Sequence, residues 1–168
     1  MTRRLAVLAL LTALALPSAA GAATTTDVLE VLGSRVDRAA QRSGLDVLVP
    51  SRIRTEFRRL YPGLTARRGE YALDLGAAPG CRGATACFVA SFTALAGGKS
   101  FGGRRVRLAK GRTGFFTPTA CGASCAAPQI QWRERGALYT IQAKVGTSRT
   151  ERRRLVALAN SAIRNGPR

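Results

Sequence analysis

Histidine is absent from the 168 residues. That removes Ser-His-Asp and Cys-His catalysis, imidazole acids and bases, and H-E-x-x-H zinc sites. Carboxylates are scarce too, nine against 27 lysines and arginines. Glu56, Glu70, Asp74 and Glu134 are the acids of the central region, each close to arginine in sequence or within an alternating stretch. Solvated ion pairing accounts for them better than the facing carboxylates of a glycosidase. Lysine is confined to Lys99, Lys110 and Lys144. The positive charge is therefore mostly arginine, which stays ionised at any working pH and grips carboxylate or phosphate through two parallel hydrogen bonds. Gly98-Lys99-Ser100 has the ending of a phosphate loop, but Thr93 stands where that pattern requires glycine. A strand closing in a glycine turn is the better reading. No enzyme activity, cofactor or metal is expected.

A long apolar run is also missing. The run from Leu5 to Leu16 falls short of the roughly 20 residues that span a bilayer. Arg3-Arg4 precedes it and Pro17-Ser18-Ala19-Ala20-Gly21-Ala22 follows. A basic start, an apolar middle and small residues at the end form a secretory signal peptide. Residues 1–22 are expected to be removed between Ala22 and Ala23, with a cut after Ala20 as the alternative. The apolar run follows Arg3-Arg4 directly, which argues against a twin-arginine signal. No cysteine near the cut offers a lipid attachment point. Residues 23–168 then form a single mature domain, secreted or periplasmic, monomeric and without a membrane span.

Four cysteines remain, and in an exported chain an even number implies disulfides. Three connectivities are open to Cys81, Cys87, Cys121 and Cys125. The local one, Cys81–Cys87 with Cys121–Cys125, is favoured because each pair brackets small residues that fold back tightly. Chain entropy gives roughly 2 kcal/mol for each short loop and nearer 4 kcal/mol for a crossed bridge, so the preference rests on geometry. Zinc is disfavoured, because the spacings are not those of a knuckle and no histidine is present.

The mature chain opens with helical spacing. Val28, Leu29, Leu32 and Val36 recur on one face from Thr24 to Ser43, with Thr26 or Asp27 as cap and Gly33 as a weak point. Leu45 to Val49 reads as an edge strand or extended stretch before Pro50. Ile53, Phe57 and Leu60 suit a helical turn that Pro62-Gly63 closes. From Tyr71 the period becomes two, through Tyr71–Leu75, Phe88–Ala94, Arg105–Leu108, Thr113–Thr117, Gln129–Arg133 and Tyr139–Val145, with glycine turns between. Ser148-x-x-Glu151 matches a capping box and starts a final helix carrying Leu155, Val156, Ala159, Ala162 and Ile163. These features predict an α+β fold. An antiparallel β-meander of about five to six strands carries an N-terminal and a C-terminal helix packed on one face.

The formal charge is +18, and +16 once Arg3 and Arg4 are set aside. Such a charge attracts polyanions, although GC-rich coding DNA also produces chains rich in arginine and alanine. Two clusters stand out. One is Arg52, Arg54, Arg58, Arg59, Arg67 and Arg68. The other, Arg104, Arg105, Arg107, Lys110 and Arg112, is the candidate anion-binding strip, because Arg105 and Arg107 share a strand face. Trp132, Tyr139, Phe115 and Phe116 would complete a single-strand binding face, but strand period assigns Trp132 and Tyr139 to the core. The function expected is binding, to an anionic cell-envelope component such as a polymer or lipid head groups. A module that binds another exported protein is the alternative.

The stretch Ile130-x-Trp132-x3-Gly136-x2-Tyr139-x-Ile141, followed by a capped helix with Leu155, Ala159 and Ser161, resembles the closing hairpin and helix of small uncharacterised extracytoplasmic bacterial domains. Some of those are attached to anti-sigma or lipoprotein-sorting-like proteins. Val47-Leu48-Val49-Pro50-Ser51-Arg52 is similar to the "PVLLPSR" opening of exported proteins. Together they cover about 40 residues of the mature chain. The resemblance implies a non-enzymatic α+β domain and transfers no catalytic residue.

Overall fold

The period-two stretches become adjoining strands because their apolar positions coincide in register. In the computed structural model, which describes residues 23–81 and 84–168, the fold is α+β. The signal-peptide reading of residues 1–22 lies outside the described residues. The strands are β1 (Thr24–Asp27), β2 (Arg52–Thr55), β3 (Tyr61–Arg67), β4 (Glu70–Gly76), β5 (Phe88–Ala96), β6 (Arg104–Arg107), β7 (Thr113–Thr117), β8 (Ala120–Cys121), β9 (Cys125–Ala126), β10 (Gln129–Glu134) and β11 (Ala137–Ala143). The helices are α1 (Val28–Leu32), α2 (Arg35–Ser43) and α3 (Glu151–Asn165).

Seven strands form the main sheet in the order β3-β4-β5-β11-β10-β7-β6, all antiparallel. Tyr71, Ala94, Tyr139 and Trp132 lie abreast on neighbouring strands, and Leu73, Phe92, Ile141, Ile130 and Phe116 form the next row. All are buried. Trp132 stacks on Tyr139 with ring centroids 5.6 Å apart. The helices cover this face, α2 over β3 and β4 and α3 against β10 and β11. Between them Val47, Leu48 and Val49 run extended and buried. The Leu48 N–H donates to the Tyr71 hydroxyl at 3.2 Å, and the Tyr139 hydroxyl donates to the Asp46 carbonyl at 3.1 Å.

Several sequence expectations are corrected. The main sheet has seven strands, not five or six, and is not a simple meander. After β5 the chain crosses to the far edge, and β6, β7, β10 and β11 then return until β11 pairs with β5. Alternation specifies which face is buried, not which strand is the neighbour. Arginine-rich β6 suits an edge, where charged side chains discourage pairing with another chain. The single N-terminal helix is divided. Thr24–Asp27 pairs with Arg52–Thr55 as a two-stranded sheet, so Ile53 lies on a strand and not on a helical turn. Asp27 accepts from the Leu29 and Glu30 N–H groups and caps α1. Gly33, at φ +51°, then separates α1 from α2. Pro62 and Gly63 lie inside edge strand β3, a place where proline's missing N–H costs no ladder bond. The capping box does not form. Thr150 is the N-cap and Glu151 the first helical residue. The Glu151 carboxylate accepts instead from the Thr119 N–H at 3.3 Å and hydroxyl at 2.7 Å.

The two tyrosines set an alkaline limit. Burial, helped by the Asp46 carboxylate, pushes the Tyr139 phenol up from 10 to about 12. Tyr71 is raised further, again chiefly by burial. Above the ordinary tyrosine pKa the unfolded chain releases protons that the folded chain retains. Stability is therefore fully present below about pH 10 and falls as pH rises towards 12. Urea midpoints are expected to drop across that range, and Tyr139→Phe to make the drop shallower. A flat profile there would contradict this account.

Candidate anion-binding surface

Edge strand β6 divides the predicted strip by simple alternation. Arg105 pairs with Phe115 and Arg107 with Thr113, on the sheet face away from the helices. Arg104 pairs with Phe116, and its Cβ therefore starts on the opposite side. A depression of about 400 Å³ within the β6–β7 hairpin is lined by Arg105, Arg107, Gly111, Arg112 and Thr113. Arg105 Nη2 approaches the Thr113 hydroxyl at 3.5 Å. Arg104 and Lys110 are exposed and do not line the depression. Lys110 occupies a left-handed turn position, at φ +54°.

Arg112 has a different role from its neighbours. It forms an ion pair with Glu134, and their side chains are only 25% and 13% exposed. Its charge is matched inside the protein, and Glu134 Oε2 has no further partner. Of the five residues, the structure thus brings Arg105 and Arg107 together as solvent-facing cations, with Arg112 beneath them as a structural one.

Members of the other arginine cluster make separate contacts. Arg59 lies over the Tyr61 ring at 5.2 Å, and Arg67 pairs with Glu70 at 2.6 Å. Arg54 instead lines a cleft of about 500 Å³ with Lys144, Arg154 and Glu56. Sequence reasoning missed that grouping, because strand β2, the end of β11 and helix α3 are remote in the chain. Glu151 also lines the cleft, with its carboxylate engaged by Thr119.

Residues 97–103 cross the face of the sheet away from the helices. Gln131 is buried under that strap. Its Oε1 accepts from the Phe101 N–H at 3.1 Å and the Ser100 hydroxyl at 3.3 Å. Arg133 donates to the Gly98 carbonyl at 2.8 Å. A Cβ at Gly98 would stand 2.9 Å from that of Leu138, so only glycine lets the strap lie this close. Phe101 on the strap is 83% exposed. Trp132, Tyr139 and Phe116 are in the core, whereas Phe115 is half-buried on the face away from the helices beside Arg105.

The cysteines are joined as Cys81–Cys87 and Cys121–Cys125. Lys144 donates to the Thr85 carbonyl and Gln142 to the Ala127 carbonyl, which ties the Cys81–Cys87 loop and the segment after Cys125 to the end of β11. Two disulfides in a small domain are consistent with an extracytoplasmic location. Among the described residues no helix is long and apolar enough to cross a membrane, and no three potential metal ligands converge. No family model, curated protein or solved structure matches the chain.

Proposed function

We propose that residues 23–168 are an exported binding domain for an anionic component of the cell envelope, contacted through Arg105 and Arg107. The observation that carries this reading is the presentation of both guanidinium groups on one face of an exposed edge strand, around a single depression. Both guanidinium groups are exposed, Arg105 with one long contact to the Thr113 hydroxyl at 3.5 Å, and can take phosphate or carboxylate in a two-pronged grip. The signal-like residues 1–22 and the two disulfides support placement outside the cytoplasm.

The test is the salt dependence of polyanion binding, with duplex DNA as a proxy and anionic vesicles or a teichoic-acid-like polymer as the closer ligand. Affinity for DNA is expected to fall with a log–log slope of about −0.9 per phosphate contacted. The Arg105→Ser, Arg107→Ser double variant should flatten that slope by about one unit per lost contact. Its stability should stay within about 0.5 kcal/mol of the parent. Parental binding by the double variant would remove these residues from the site. A parent that ignores all polyanions at physiological salt would overturn the reading.

A second reading, a module that binds another exported protein, is supported by the exposed Phe101 on the strap. It requires affinity that varies little with salt and is lost on Phe101→Ser.

A further inference from the structure

The disulfide end of the face away from the helices carries a second concavity, chemically unlike the arginine edge. Strands β4, β5 and β11 place Asp74, Ser91 and Gln142 abreast, with Ser91 paired to both of the others. Adjacent strands are about 4.8 Å apart, so the three side chains present polar groups across roughly 10 Å. Thr85 on one side and Ser124 to Ala127 on the other wall this row. Phe88, half-buried, lines the same pocket. Its volume is about 380 Å³, within the range of small-molecule sites.

The charges of the described lining cancel. Asp74 brings a carboxylate, and Lys144 at the rim brings an ammonium that donates to the Thr85 carbonyl. Further along the same face lie Ala72, Thr93 and Thr140. In a chain with 27 lysines and arginines, none falls on the positions of β4, β5 and β11 that share this face. The strand row offers a carboxylate acceptor, a hydroxyl that donates or accepts, an amide with its oxygen and second N–H left over from the bond to the Ala127 carbonyl, and an aromatic ring. A ligand that satisfies all four is neutral, carries several adjacent hydroxyls and has one apolar face.

We propose that this pocket is a saccharide subsite. It takes a pyranose ring whose hydroxyls bond to Asp74, Ser91 and Gln142 and whose C–H face lies against Phe88. The proposal deepens the envelope-component reading, on which it rests for the source of the ligand. It makes that component a glycan whose sugar ring is held here and whose acidic groups are held at the arginine edge.

The test uses the protein with both disulfides intact and neutral tetrasaccharides of glucose, galactose, mannose and N-acetylglucosamine, by calorimetry and by amide chemical-shift mapping. At least one series is expected to bind equally at low and high salt and to shift the amides of Asp74, Ser91 and Gln142. Asp74→Asn and Ser91→Ala should each weaken binding, Asp74→Asn by about tenfold or more because it removes a charged acceptor. The Arg105→Ser, Arg107→Ser variant should bind these neutral sugars like the parent. Shift mapping on the parent keeps the test decisive even if a variant folds poorly. The subsite is overturned if none of the four series binds, if the shifts map elsewhere, or if sugar binding falls with salt and with loss of Arg105 and Arg107. A parent that binds sugar but ignores polyanions would instead overturn only the arginine reading.

Discussion

Trp132→Ala is expected to cost about 3–5 kcal/mol, the range for truncating a large buried aromatic. Trp132 is 1% exposed, lies in the row between Tyr139 and Gly114, and stacks on the Tyr139 ring. Its truncation would open a cavity under α3 and remove an aromatic pair worth about 0.5–1.5 kcal/mol beyond buried area. Total stability for such a domain is about 5–15 kcal/mol, so the loss is a large fraction of the whole. Trp132→Phe separates two contributions. The indole Nε1 is buried without a hydrogen-bond partner, a defect that costs about 1–3 kcal/mol. Phenylalanine gives up area and also removes that defect, so its net cost should be well below that of alanine. Urea midpoints at unchanged m-value measure both. A Trp132→Ala loss below about 1 kcal/mol would contradict the core assignment, since that is the scale of an ordinary substitution.

Arg112→Ala is expected to destabilise by about 2 kcal/mol while leaving polyanion binding nearly intact. Exposed ion pairs are worth about 0–1 kcal/mol, and breaking a fully buried one costs about 3–5 kcal/mol. The Arg112–Glu134 pair lies between those limits, and Glu134 Oε2 already lacks a partner. Removing Arg112 leaves a carboxylate with little water and without its ion-pair partner. The Arg112→Ala, Glu134→Ala double variant should recover part of the loss, because both charges then leave together. Polyanion binding should keep its salt slope in the single variant, since the Arg112 charge is matched internally. If Arg112→Ala changed stability no more than Arg105→Ser, the pair would have no structural role. If it flattened the slope by a full unit, Arg112 would be a ligand contact.

The contrast between Arg105 and Arg112 shows how far the candidate site was legible in the sequence. Both belong to one basic run, and alternation alone places Arg105 and Arg107 on a common face. Nothing local distinguishes Arg112, because its partner Glu134 arrives on β10 through pairing with β7. The Arg54, Lys144 and Arg154 grouping and the Asp74, Ser91 and Gln142 row are hidden for the same reason. Glu151 shows the opposite failure. Its spacing from Ser148 fits a local capping motif, but a tertiary partner, Thr119, takes the carboxylate.

Short-range physics let the sequence by itself determine the α+β class, the inward faces of β4, β10 and β11, that of β5 from Ala90 onward, and most of the buried stripe of α3; at Phe88 a register shift against β4 breaks the alternation. Each of these depends on side-chain period along contiguous residues, and burying an apolar face is strongly favoured wherever the strand lies. Strand order was decided only in the tertiary structure. Backbone hydrogen bonds are nearly blind to side-chain identity, so β5 reads equally well as a neighbour of β6 or of β11. Only the joint burial of one continuous face under α2 and α3 selects β11 and sends β6 to the edge. That choice stretches residues 97–103 across the face away from the helices, buries Gln131 and exposes Arg105 and Arg107 at the rim. The placement of Arg105 and Arg107 follows from strand order, and strand order from the packing of the sheet against its helices.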